Sequence, residues 1–185
     1  HRDLYELVLA VQQAAIAAAK PGVEYRELHL AACSQMAAGL VDLGLCKGSV
    51  QDLVERDAHA LFFPHGLGHM LGLSTHDAGG CLAGRAPSDR FGLKWLRADL
   101  PLQPGYVVTI EPGIYFIKAL LDDPSRRRDF ADCVEWSKVD ALREFGGIRI
   151  EDDVLITESG SEVLTAGIPK TIPEIETLRA QAFDS

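Results

Sequence analysis

The apolar pattern of this chain changes character once, near Ala58, and that change limits the folds open to it. Before it, apolar residues recur at helical spacing. Leu4, Leu7, Val8, Val11, Ala15 and Ala18 predict an alanine-rich helix over Leu4–Ala19, stopped by Lys20-Pro21-Gly22. A second helix is predicted over Tyr25–Leu43, ending near Gly44, and a short third over Val50–Arg56. After Ala58 the apolar runs shorten and glycine breaks them. Tyr106–Ile110 reads as a buried strand, entered through the Pro104-Gly105 turn and followed by Glu111-Pro112-Gly113. Asp122–Phe145 is polar and charged, with helical stretches, and reads as an excursion from the sheet. Ile148–Thr157 is the clearest strand; Glu158–Ser161 reads as a hairpin turn into Glu162–Ala166. A closing helix is predicted over Pro173–Ala182. Helices first and strands later favour an α+β fold over a doubly wound parallel sheet.

A length of 185 residues suits one domain with a substantial core. The formal net charge of −9 weighs against nucleic acid as a partner, because phosphate binding calls for basic patches. The basic run Arg126-Arg127-Arg128 lies among Asp122, Asp123 and Asp129 and reads as a solvated helix face. No apolar run approaches the roughly 18 residues of a membrane span. The opening His1-Arg2-Asp3 leads straight into a helical pattern, so no signal peptide is expected. Cys33, Cys46, Cys81 and Cys133 form no CxxC pair, and free thiols in a reducing cytoplasm are expected.

The chemistry concentrates in Phe62–Gly80, FFPHGLGHMLGLSTHDAGG. Three of the six histidines, His65, His69 and His76, fall here among Gly66, Gly68, Gly72, Gly79 and Gly80. Imidazole binds transition metals and moves protons near neutral pH, and glycine lets backbone and ligand approach closely. His65 and His69 have helical spacing, but the glycines between them argue for an extended or looped segment. HxxxH resembles part of the HExxH zinc signature, yet position 66 is Gly, so that reading fails for want of the glutamate base. Two downstream strands carry acids. On Ile148–Thr157, Arg149, Glu151 and Asp153 share one face and Ile148 and Ile150 the other. An internal salt bridge and a binding site are equally good readings of that face alone. Glu111 closes an apolar strand, where Pro112-Gly113 suggests a shaped backbone that aims the acid inward. Together these features favour a metal or proton-transfer site.

The segments PHGLGHMLGLSTHDAGG, LRADLPLQPGYVVTIEPGIYF and FGGIRIEDDVLIT, in that order, closely resemble the prolidase (Xaa-Pro dipeptidase) branch of the methionine aminopeptidase-like metallopeptidases. The resemblance runs from about Leu4 to Leu178. It implies the pita-bread α+β fold, a curved antiparallel sheet flanked by helices. It implies metal-dependent hydrolysis of Xaa-Pro dipeptides with two divalent ions, manganese first and cobalt or zinc as alternatives, whose pairing lowers the pKa of a water. It implies that His69, Glu111 and Glu151 are metal ligands, with Glu151 bridging and Glu111 also serving as proton acceptor. His65 and His76 correspond to histidines that contact substrate and stabilise the reacting carbonyl. Arg97 corresponds to an arginine that recognises the dipeptide carboxylate, and Arg149 to one beside the bridging glutamate.

The chain departs from that family in one respect. The family has two further aspartate ligands in a DxG…DxTRTF-like context upstream of the first helix, and no such segment occurs here; Asp3 and Asp42 lie in helical patterns and are poor substitutes. Residues 1–185 are therefore read as the C-terminal part of a single metallopeptidase catalytic domain. The N-terminal domain and first strands are missing, and an N-terminal fragment or partner chain is expected to supply the aspartates to a homodimeric, cytoplasmic enzyme. Without those strands, the Tyr106–Glu111 sheet is expected to have an unpaired edge and exposed apolar surface. Two alternatives remain: an aminopeptidase P-like enzyme acting on longer Xaa-Pro peptides, and an inactive binding relative. The Asp122–Phe145 excursion and Gly79-Gly80 resemble the dipeptidase branch more closely.

Overall fold

The structure, a computed structural model, describes residues 1–80 and 84–183. Three helices come first: α1 (Arg2–Ala18), α2 (Tyr25–Asp42) and α3 (Val50–Glu55), followed by a 3-10 turn at Ala58–Leu61. Then come β1 (Val107–Ile110) and β2 (Gly113–Tyr115), the short helices α4 (Lys118–Leu121), α5 (Pro124–Asp129) and α6 (Trp136–Ala141), the strands β3 (Gly147–Arg149), β4 (Asp152–Ile156) and β5 (Ser161–Val163), and α7 (Ile172–Phe183). All strand pairs are antiparallel, so the α+β expectation holds. No helix among the described residues is long and apolar enough to cross a membrane.

The predicted strand Ile148–Thr157 is two strands, and the reason lies opposite it. β1 pairs with β4 and β2 with β3, and both ladders keep one register across the interruption. That register sets Ile150 against Pro112. Ile150 N–H reaches the Pro112 carbonyl at 3.4 Å, but proline has no N–H to return, so the ladder opens at this point. Inward and outward faces still alternate through the gap: Ile150, Asp152, Val154 and Ile156 are buried. The result is one long two-stranded ribbon with a gap in its middle, and Glu111 and Glu151 lie in that gap. β5 is shorter than the predicted Glu162–Ala166: Leu164 N–H still bonds to the Asp153 carbonyl at 2.8 Å in the ladder register, and the chain turns from there.

The expected unpaired edge beside Tyr106–Glu111 is not found. The segment Leu67–Leu71 lies along β1, with Glu111 N–H donating to Leu67 O at 2.7 Å, Thr109 N–H to His69 O at 2.9 Å and Leu71 N–H to Val107 O at 2.9 Å. The histidine-rich segment is itself the neighbour of that strand. Apolar surface is exposed elsewhere, at Leu164, Ile168 and Leu178. Helix α7 buries no residue; the Arg2–Glu176 ion pair ties it to α1, and Tyr5 Oη donates to Lys170 O at 2.7 Å in the segment just before it.

The core lies between α1, α2 and the ribbon, with Val8, Val11, Met36, Leu40, Phe62, Phe63, Val108, Ile110 and Val154 fully buried. Two polar ties cross it. Tyr25 Oη, at the start of α2, donates to the Thr109 carbonyl at 2.6 Å. Asp152, 2% exposed, accepts from Gln12 of α1 and from Thr165 Oγ1 at 2.6 Å, and lies 3.1 Å from Lys170 Nζ. A buried carboxylate met on three sides in this way locks the far face of β4 to α1. The basic run is solvated only at Arg128: Arg126 is half-buried over the Phe91 ring and 3.6 Å from Asp123, and Arg127 is half-buried over Trp136 and pairs with Asp140. Cys33, Cys46 and Cys133 are free and buried; Cys81 lies outside the described residues.

His29 of α2 is fully buried. Its Nε2–H donates to the Gly92 carbonyl at 2.8 Å, and Nε2 lies 3.5 Å from Cys33 Sγ. Burial pulls its pKa from 6.5 down to about 4, with the Gly92 carbonyl opposing the shift. Between those two values the unfolded chain holds a proton that the folded chain does not, so folding stability rises with pH in that window and is lost on acidification. Urea titrations at pH 7 and pH 4.5 should show a loss on the order of 2–3 kcal/mol from this residue. A His29→Gln variant should show a correspondingly flatter pH dependence.

Candidate metal centre

Phe62 and Phe63, both fully buried, anchor the chain where it leaves the 3-10 turn. From there it runs as an extended loop to Gly80, and the glycines decide how closely it can lie on β1. A Cβ at Gly68 would overlap the Thr109 carbonyl oxygen and crowd the Tyr25 hydroxyl. Glycine is therefore required for the backbone contact that brings His69 over the ribbon.

His69 Nε2 stands 3.3 Å from Glu111 Oε1, and both side chains are buried. His69, Glu111 and Glu151 each offer a ligand atom within 4.8 Å of the others. Among the described residues this is the one group of three or more such donors. Glu111 and Glu151 occupy directly opposite positions in the ribbon register, an arrangement that costs energy for two like charges. The Glu151 carboxyl titrates above the usual carboxylate range, first because of burial and then because of the Glu111 charge.

Hydrogen bonds fix what each donor presents. His69 Nδ1 lies 2.9 Å from the Met70 carbonyl, which only accepts, so Nδ1 carries a proton and Nε2 is the ring nitrogen turned toward Glu111 and available as a ligand. Glu111 is held at both oxygens: Thr109 Oγ1 donates to Oε1 at 3.2 Å, and Arg149 Nη1 donates to Oε2 at 2.9 Å. Thr109 Oγ1 also accepts the His69 N–H at 3.0 Å, linking histidine and carboxylate through one side chain. One imidazole nitrogen and two carboxylates thus offer ligand atoms close together. A divalent cation fits that set, and mixed nitrogen and oxygen ligation admits manganese, cobalt, iron or zinc.

The remaining residues singled out by sequence line a cavity of about 270 Å³ beside this group: His65, His76, Arg97, Arg149 and Glu111, with Gly66, Gly68 and Trp95. His76 is exposed and its ring packs edge-on against His69, with centroids 4.4 Å apart. Its pKa is lowered by loss of water and by the neighbouring His69 and Arg97. His65 Nδ1 donates to the Gly66 carbonyl at 2.7 Å, so its Nε2 accepts from the Tyr115 hydroxyl at 3.2 Å. Burial lowers the His65 pKa. Asp153, on the same face as Glu151, stands outside the donor group and pairs across the ladder with Thr109.

Two residues were not picked out from sequence, Tyr115 beside the cavity and Trp95 on its wall. Tyr115 Oη accepts from Arg149 Nε at 2.7 Å and donates to His65, joining the arginine to the histidine. A glycine lies opposite it in the ladder, Gly147, where a Cβ would overlap the tyrosine ring. The spacing of Tyr115 four residues after Glu111, on the same strand face, was the available signal. Trp95 left no such trace, because only the fold brings it to the cavity wall.

With this geometry in place, comparison with known proteins is direct. The chain is 44% identical over 183 residues to the human Xaa-Pro dipeptidase, covering 97% of this chain and 36% of that protein. It is 37% identical over 177 residues to a probable Xaa-Pro aminopeptidase of Talaromyces marneffei, covering 96% of this chain and 37% of the relative. The crystal structure of E. coli aminopeptidase P with the inhibitor Pro-Leu superposes with a TM-score of 0.75 at 35% identity, covering 100% of this chain and 35% of that one. The chain thus spans about a third of the length of the relatives it matches, and its helices and antiparallel sheets are a partial form of their pita-bread fold. The model of metallopeptidase family M24 matches residues 1–158, and the chain belongs to that family.

Proposed function

We propose that residues 1–185 are the C-terminal part of a single catalytic domain that hydrolyses Xaa-Pro dipeptides with two divalent metal ions. The observation that carries the reading is the convergence of His69, Glu111 and Glu151 from three separate stretches of chain onto one point. Three ligands underfill two ions, so the reading includes an upstream segment or partner chain that supplies two aspartates. Manganese is the first choice of metal, with cobalt or zinc next, and the full enzyme is read as a cytoplasmic homodimer.

The bound ions would supply a water of lowered pKa and an electrophilic hold on the scissile carbonyl. The chain's own residues then have distinct tasks. His69 Nε2 and the two glutamates would hold the ions, and Arg149 and Thr109 keep the Glu111 carboxylate in place. Glu111 takes the proton of the attacking water. His76, exposed at the cavity, is free to donate toward the carbonyl oxygen as charge develops there. His65 accepts from Tyr115 in its neutral form and would donate only after gaining a proton, so His76 is the better placed of the two. Arg97 grips the substrate carboxylate through two hydrogen bonds, which favours a free C-terminus one residue beyond the cleaved bond.

A second reading, an aminopeptidase P-like enzyme, draws on the 0.75 TM-score to the E. coli enzyme. Cleavage of Ala-Pro and Ala-Pro-Ala by the full-length, metal-loaded protein separates the two, and faster turnover of Ala-Pro is expected. Arg97→Lys should raise KM for Ala-Pro by about tenfold, the worth of one charge-assisted hydrogen bond. Equilibrium dialysis against manganese should show binding that Glu151→Gln weakens by at least about tenfold. Unchanged binding would exclude Glu151 as a ligand. The isolated 185-residue chain should bind metal weakly and lack dipeptidase activity, and strong activity from it would show that no further ligands are needed.

A further inference from the structure

Among the described residues, the cavity wall is polar or glycine with one exception. Its titratable members are His65, His76, Arg97, Glu111 and Arg149, and the exception is the indole of Trp95. That side chain is 59% exposed, so it contributes little to the core. Its backbone, by contrast, is pinned on both sides. A Cβ at Gly66 would come within 2.9 Å of Leu96 Cα and 3.1 Å of the Trp95 carbonyl oxygen, so the 95–96 backbone lies flush against the histidine loop. Gly80 N–H donates to the Arg97 carbonyl at 3.0 Å, Leu96 N–H bonds to Leu93 O at 3.0 Å, and Leu93 and Ala98 are buried. An indole held in place at the rim of a polar cavity, with most of its surface open, presents an apolar face to a ligand. Lys94 Nζ stands over the ring 5.6 Å from its centroid, which leaves the other face available.

We propose that Trp95 is a specificity-determining residue: its indole stacks on the pyrrolidine ring of the substrate residue whose carboxylate is held by Arg97. This rests on the Xaa-Pro reading above. Two residues of one pinned segment then read the two parts of a C-terminal proline, Arg97 the carboxylate and Trp95 the ring. The C–H groups of that ring, polarised by the adjoining amide nitrogen, meet the negative face of the indole. An unbranched residue in the same place would leave the indole uncovered. The polar remainder of the wall offers a ring of this kind no other apolar partner.

The test uses the full-length, metal-loaded protein and two readouts. Trp95→Ala should raise KM for Ala-Pro, Leu-Pro and Phe-Pro by a similar factor of about ten, with the loss in KM rather than kcat, and Trp95→Phe should recover most of it. Titration with L-proline should shift the indole emission of the wild type. The shift should vanish in Trp95→Phe, which keeps Trp136 as the remaining tryptophan of this chain. An unchanged KM, or a rise confined to Leu-Pro and Phe-Pro, overturns the proposal, the latter assigning Trp95 to the residue before proline. Hydrolysis that is indifferent to Trp95 leaves the Xaa-Pro reading intact and removes this one. A proline-dependent shift of Trp95 emission in a protein that cleaves no dipeptide does the reverse.

Discussion

The opposition of Glu111 and Glu151 across a gap in one antiparallel ribbon is the constraint around which the rest of the molecule is arranged. Pro112 opens the gap because it cannot donate to the ladder, while the register persists on both sides. Two carboxylates are thereby held face to face, and His69 adds a lone pair 3.3 Å from one of them. Such an array is under electrostatic tension by itself, and the Glu151 carboxyl is raised first by burial and then by the Glu111 charge. A divalent cation would remove that tension. The site is thus prepared by backbone geometry for the ions proposed above.

The scaffold keeps this array from relaxing. On the inner face of the ribbon, buried Asp152 ties β4 to α1 through Gln12, and Tyr25 ties α2 to the carbonyl of Thr109. On the outer edge, Leu67–Leu71 adds its backbone hydrogen bonds to β1. The acids therefore cannot turn away from each other without breaking ties to both layers. Arg149 serves two sides at once, holding Glu111 and, through Tyr115, the imidazole of His65. Membership of family M24 agrees with this arrangement, and the chain carries about a third of the length of its relatives.

Much of the fold was legible because its signals are local. The helical periodicity of the first third marks α1 to α3 within a residue or two of their observed ends, and the polar composition of Asp122–Phe145 marks the excursion that holds α5 and α6. Two expectations failed for a shared reason. Ile148–Thr157 was read as unbroken because its own residues favour a strand throughout, while the interruption comes from Pro112 on the partner. The Tyr106–Glu111 edge was expected to be bare because the family's upstream strands are missing, while the glycine-rich segment lies along β1 as its neighbour. Pairing partners far apart in the chain decide both outcomes.

For the site, the residue types were readable in advance. Histidines among glycines, and glutamates closing apolar strands, name the donors and the chemistry they permit. Their convergence, the proton on His69 Nδ1 that frees Nε2, the tyrosine between Arg149 and His65, and the indole at the cavity wall depended on tertiary contacts. The physical reason is that donor identity is a property of each side chain alone, whereas lone-pair direction, like-charge opposition and exposure at a cavity rim belong to pairs of groups. Those pairs exist only once the chain has closed.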